Sequence, residues 1–210
     1  MTLELGKMAE RLKRAGYPVG GKLLSDAADS WEKAGLIPHS LPDIEQSSPE
    51  RKTNWEVWKT VEAGGKSPKI LERQLEQKGI NVSDYALNLI RSKDFVTLRR
   101  PEQIKIARST VDDLGFTKPP TTDQLLQRID GDPELEYLPP EAAVALRLEY
   151  GDQPLGEYLY AGMKPIAVSD GSPLVFGLER YGGGLWLYGR WTRPGHHWYL
   201  GYELVFRLRK

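Results

Sequence analysis

The chain has 210 residues, a formal net charge of zero, 40% hydrophobic and 28% charged residues, and no cysteine. That balance suits a folded domain with a core of its own and builds in no long-range attraction to nucleic acid or acidic membrane. Disulfides, thiolate metal ligands and cysteine nucleophiles are excluded. No apolar run approaches the roughly 18 residues that span a bilayer. The opening MTLELGKMAERLKRAG carries charges throughout and has no apolar h-region, so no signal peptide is expected and a cytoplasmic location is the default expectation.

Residues 1–118 read as helices separated by turn signals. Leu3, Leu5, Met8 and Leu12 keep helical spacing up to Gly16-Tyr17-Pro18, and Leu23, Leu24, Ala27, Ala28 and Trp31 line a second helix from Gly21 to Lys33. After a proline-containing loop over 36–48, Ser48-Pro49-Glu50 opens a helix carrying Trp55, Trp58 and Val61 until Gly64-Gly65. Ser67-Pro68 begins another with Ile70, Leu71 and Leu75, closing near Gly79. Asn81-Val82-Ser83 caps one with Tyr85, Leu87, Leu89 and Ile90. Pro101 opens a segment through Ile104, Ile106, Ala107, Val111 and Leu114 to Gly115, also expected to be helical.

The character changes after Thr117-Lys118-Pro119-Pro120, and a domain boundary is expected near 118, with a second domain over 119–210. Thr121-Thr122-Asp123 starts a helix through Leu125, Leu126 and Ile129, and Pro139-Pro140-Glu141 starts one through Ala142 to about Leu146. Glycine-punctuated runs then carry strand signals: LRLEY, EYLYAGM, PLVFGLERY, LWLYGRW and YELVFRLRK. Gly182-Gly183-Gly184 reads as a hairpin connection.

The segment Gly177–Tyr202 (GLERYGGGLWLYGRWTRPGHHWYLGY) holds three Trp, four Tyr, seven Gly, three Arg, two adjacent His and one acid, Glu179. Tyr and Trp supply rigid contact area, Gly shape, and Arg forked donors, which is the composition of a recognition surface. Residues 171–210 carry six Lys/Arg against two acids, so this end is locally basic. Tyr181, Tyr188, Tyr199 and Tyr202, each beside Gly, Arg or His, are expected to be exposed, and Trp186, Trp191, Trp198 and Phe206 to be buried scaffold.

The series from GDQPLGEYLYAGMKPIAVSDGSPLVFGLER through YGGGLWLYGRWTRPGHHWYLGYELVFRLRK resembles the variable proteins of diversity-generating retroelements. The likeness is best over 135–210 and weaker from WEVWKTVE through STVDDLGF; residues 1–50 do not share it. It implies an α+β chain whose C-terminal domain is C-type lectin-like, with a small twisted antiparallel sheet and two helices. It also implies that a reverse transcriptase miscopies adenines of an RNA template and rewrites the 3′ end of the gene. Template AAC codons can become Tyr, His, Gly, Arg, Asp, Ser or Thr, but not Trp, Glu, Gln, Lys or Met. The candidate variable positions that follow are Tyr181, Gly182, Tyr188, Gly189, Arg190, Arg193, His196, His197, Tyr199, Gly201 and Tyr202, within a variable region of about 177–202. Trp186, Trp191, Trp198 and Glu203 lie outside the reachable set and alternate with the candidates as framework.

The expectation is therefore a non-enzymatic ligand-binding protein with a diversified surface, recognising a protein or cell-surface ligand, with no catalytic residues, metal or cofactor. A carbohydrate-binding module using aromatic stacking is the alternative. Metal binding by His196-His197 is disfavoured because adjacent strand side chains point apart and no cysteine or nearby histidine completes a set. Glu179 alone cannot build a calcium site. A formylglycine-generating enzyme shares the lectin-like fold but works through cysteines. Stacking on single-stranded nucleic acid has only three arginines to support it.

Overall fold

Among the described residues, one twisted sheet and four helices wind around β9, the last of their strands in chain order. The structure is a computed structural model and describes residues 55–193 and 195–209. The helices expected before residue 49 lie outside those residues. The strands are β1 (Lys59–Ala63), β2 (Asn81–Val82), β3 (Glu102–Thr110), β4 (Leu135–Glu136), β5 (Tyr158–Ala161), β6 (Ile166–Ala167), β7 (Pro173–Tyr181), β8 (Gly184–Trp191) and β9 (Glu203–Leu208). Along the sheet they run β1-β3-β9-β5-β7-β8-β2, with β4 on β9 and β6 on β7. Pairing is antiparallel except at β5–β9 and β2–β8.

The four helices begin where short polar residues and prolines predict. They are α1 (Pro68–Gln77), α2 (Asp84–Ile90), α3 (Thr122–Asp130) and α4 (Pro140–Glu149). Thr121 and Gln124 form a reciprocal capping box on α3. Ser83 accepts the Ala86 N–H at 3.2 Å as the α2 cap, and its oxygen also accepts the Gly189 N–H at 3.2 Å, which ties α2 to β8. Helix α4 is buried from Glu141 through Arg147, as an almost continuously apolar stretch must be.

Three expectations are corrected. The helix expected over 49–63 ends, within the described residues, as strand β1: Trp58 donates its N–H to Ile106 O at 2.8 Å and Val61 is buried. The Pro101–Gly115 segment is strand β3, because Ile104 and Ile106 fall on one buried side at a two-residue period while Gln103 and Lys105 face out. The run LRLEY is not a strand but the last turn of α4, where Ala and Leu favour helix.

The sheet and the core both take residues from either side of the boundary expected at 118. β3 pairs with β9 over five residues, from Ile106↔Arg207 to Thr110↔Glu203, so one sheet continues across that point. A single hydrophobic cluster joins Leu75, Leu89, Ile106, Ile129, Val144, Phe176, Leu187 and Phe206 from both sides of it.

Candidate functional site

Strand alternation decides which side chains meet. On β7, Leu174, Phe176 and Leu178 point into the core, so Gly177, Glu179 and Tyr181 take the opposite face. β8 pairs Tyr188 with Gly177 and Trp186 with Glu179, and β5 pairs Tyr158 with Glu179 and Tyr160 with Gly177. The outward face of β5-β7-β8 therefore carries Tyr158, Tyr160, Trp186, Tyr188 and Arg190 around Glu179. The segment between β8 and β9 closes the row. Tyr160 lies 5.0 Å from Tyr202 and 5.0 Å from Trp198 between ring centroids, and Tyr199 lies 5.2 Å from Tyr202.

The rings form two groups of contacts, bridged by the Arg190 guanidinium over Tyr158 and Tyr188. Trp186 and Tyr188 are stacked with centroids 5.1 Å apart and planes 12° apart, and Tyr158 meets Tyr160 edge-on at 4.4 Å. Gly177 makes the centre of the row possible. A β-carbon there would overlap the Tyr158 hydroxyl and lie 2.9 Å from its Cζ and 3.2 Å from Arg190 Cγ. The bare backbone is the seat over which the phenol and the arginine stem both lie.

Arg190 is the single cation within the row. Its Nε donates to the Tyr158 hydroxyl at 2.7 Å and its Nη2 to Glu179 Oε2 at 3.1 Å. Burial alone would lower its pKa, but Tyr158 and Glu179 reverse this and hold it raised. Burial pushes the Tyr158 phenol well above its ordinary value, and it raises Tyr160, Tyr188 and Tyr202 too. These phenols are hydrogen-bonding groups at neutral pH, not anions.

The structure sorts nine of the eleven candidate positions into three groups and places Gly201 and Gly189 apart from them. Tyr188, Arg190, Tyr199 and Tyr202 meet on the aromatic row; Tyr199 is 47% exposed and the other three are half-buried. Tyr181 is 65% exposed and pairs with Gly184 across a two-residue turn formed by Gly182 (φ +57°) and Gly183 (φ +106°), glycine-favouring conformations. Arg193, His196 and His197 lie on the β8–β9 connection where it meets the start of α3: His197 bridges Thr121, and Thr122 donates its N–H to His196 O. Gly201 sits in the turn before β9.

Gly189 is a correction. It faces α2, and any β-carbon would lie 2.7 Å from both the carbonyl carbon and Cβ of Tyr85, so side-chain variation there collides with the helix. The scaffold residues divide as well. Trp198, with Nε1 donating to Thr122 Oγ1 at 3.1 Å, and Phe206 are buried. Trp191 is half-buried between Tyr85, edge-on at 5.3 Å, and the Arg193 guanidinium at 5.2 Å. Trp186 is half-buried on the outward face beside Tyr188 rather than sunk as an anchor, because it shares that residue's side of β8.

Sequence reasoning missed Tyr158, Tyr160 and Gly177 as parts of this face, although the alternation in EYLYAGM puts both tyrosines on one side of a strand. It also missed Tyr85, whose place beside Trp191 depends on how α2 crosses β8 and leaves no local signal.

Among the described residues no three His, Asp or Glu side chains are grouped to hold a metal ion, and no helix is long and apolar enough to cross a membrane. Trp191, Arg193, Gly195 and His196 line an open depression of ≈ 650 Å³ at the end of β8. Comparisons with family models, with curated proteins and with solved structures find no match.

Proposed function

We propose that this chain is a non-enzymatic ligand-binding protein of the diversity-generating retroelement type, displaying a diversified surface on a C-type lectin-like fold. The observation that carries the reading is the convergence of Tyr188, Arg190, Tyr199 and Tyr202, from two separate segments, on one partly exposed aromatic face. Recognition is by contact: preformed rings lose little entropy on binding, and a few central ones carry most of the energy. The mixed α+β architecture and its twisted sheet support the lectin-like assignment. The ligand of this reading is a protein or cell-surface molecule.

The gene neighbourhood tests it. A near-copy of the DNA encoding residues 177–202 is expected nearby, differing only at adenines and beside a reverse transcriptase gene. A locus with neither would overturn the retroelement reading. The partly exposed stacked pair Trp186–Tyr188 favours a second reading, a carbohydrate-binding module. A glycan array separates the two, because a coherent preference for one sugar class belongs to the module alone.

A further inference from the structure

Arg190 fills a slot built wholly by its neighbours. Its guanidinium carbon lies 4.8 Å from the Tyr158 ring centroid and 4.6 Å from that of Tyr188. The Tyr158 hydroxyl accepts from Nε at 2.7 Å, and Glu179 accepts from Nη2 at 3.1 Å. Two ring faces, a carboxylate and a neutral phenol oxygen form a complete set of partners for a guanidinium: aromatic quadrupoles for its faces, acceptors for its fork, and a counter-charge.

The walls have supports of their own. Tyr158 stands on β5 against Tyr160, Glu179 stands on β7 between its backbone partners Tyr158 and Trp186, and Tyr188 is stacked on Trp186. Gly177 beneath leaves the space that both the Tyr158 phenol and the arginine stem use. The slot comes from three strands; Tyr158 and Glu179 lie outside the candidate variable positions, whereas Tyr188 is one of them, so the switch at residue 190 applies where 188 is an aromatic residue.

We infer that this slot is a recognition subsite for an alkylguanidinium, namely the arginine side chain of a protein partner, and that Arg190 plugs it from within. The inference rests on the display function proposed above, in which residue 190 is one of the positions that change. A Ser, Gly or Asn at 190 vacates the slot and leaves Glu179 and the Tyr158 hydroxyl facing outward. Arginine at 190 closes it and leaves the surrounding tyrosines as the contact surface. One position thus switches the face between taking a cationic side chain and offering a neutral aromatic one. Nucleic acid is a poor occupant, because the only charge the emptied slot presents is the Glu179 carboxylate.

The test is Arg190→Ala titrated with methylguanidinium and, as the neutral isostere, methylurea, read by NMR shifts of the Tyr158 and Tyr188 rings. The expected result is a preference for methylguanidinium of about tenfold or more, the scale of one cation–π contact with one charge-assisted hydrogen bond. The unaltered chain should show no preference, and adding Glu179→Gln to Arg190→Ala should cut it to the smaller share that the ring contacts alone supply. A folded Arg190→Ala protein without the preference, or an unaltered chain that shares it, overturns the inference. Should Arg190→Ala not fold, the Arg190 Nε–H resonance of the unaltered chain decides. Slow exchange and a ring-current shift support the slot, and exchange as fast as in free arginine overturns it. The gene neighbourhood does not enter this experiment, so failure of the slot and failure of the display reading are told apart.

Discussion

Gly177 and Gly189 lie in adjacent strands and face opposite ways, and each is glycine because something else needs the space. At 177 the occupant is the Tyr158 phenol, and at 189 it is the backbone of Tyr85. Gly177→Ala should cost about 1–3 kcal/mol in urea unfolding, the scale of overpacking, since strand pairing on both sides hinders relief. The tyrosines divide by the same logic of contact. Tyr181→Ser should stay within about 0.5 kcal/mol at its exposed hairpin tip. Trp198→Ala should lose about 3–5 kcal/mol, with a cavity left behind and the Thr122 hydroxyl keeping only its donation to the Arg193 carbonyl. A loss of that size at Tyr181 would overturn its assignment to the surface.

His196 supplies the pH dependence at this scale. Burial, and secondarily His197, lower its pKa from the ordinary 6.5. The unfolded chain therefore takes up the proton first, and the stability tied to neutral His196 is complete above pH 6.5 and declines as pH falls below it. His196→Gln should flatten that part of the stability–pH curve, which thermal unfolding across the range would record. An unchanged slope would mean that the imidazole is solvated in the folded chain.

At the scale of elements, helix starts were legible because each is a local event. Ser83, Thr121 and the prolines at 68 and 140 act through hydrogen bonds or fixed φ angles within a few residues. β1 and β3 were not legible as strands. Ile104, Ala107, Val111 and Leu114 satisfy a helical period as well as Ile104 and Ile106 satisfy a strand period. What decides for the strand is pairing with β9, about a hundred residues further on. The same distance hides the polar network that joins the elements. Arg147, fully buried at the end of α4, donates to Gln153 Oε1 and to the Tyr150 carbonyl. Gln153 Nε2 in turn donates to the carbonyls of Glu157 and Leu178 at 3.1 Å each. Glu157 then accepts from Arg108 at 2.7 Å, and Arg108 pairs with Glu203 at the start of β9. Gln153→Ala would leave a buried guanidinium and two carbonyls short of partners, and a loss of about 3 kcal/mol is expected in denaturant titrations. A neutral result would mean that water replaces the amide.

For the whole molecule, composition identified a folded chain with a core, and the aromatic segment identified the face, but the single sheet crossing residue 118 was visible only in three dimensions. The boundary expected there carries a direct test. A fragment of residues 119–210 lacks β3 and would leave one edge of β9 unpaired, so it should show broad, poorly dispersed NMR spectra, whereas residues 55–210 should give a folded spectrum. A well-dispersed spectrum from the shorter piece would restore the boundary at 118.

That arrangement also bears on how the chain reaches its shape. β9 supplies the latest residues of the sheet in chain order, yet it lies between β3 and β5 and hydrogen-bonds to both. Until residues 203–208 arrive, those two strands have open edges and no means of joining. The closing step must bring together stretches about a hundred and about forty-five residues apart, contacts whose loop entropy is spent before anything is gained. Such a topology makes for slow acquisition of structure, with an interval in which two sticky strand edges are open to wrong partners.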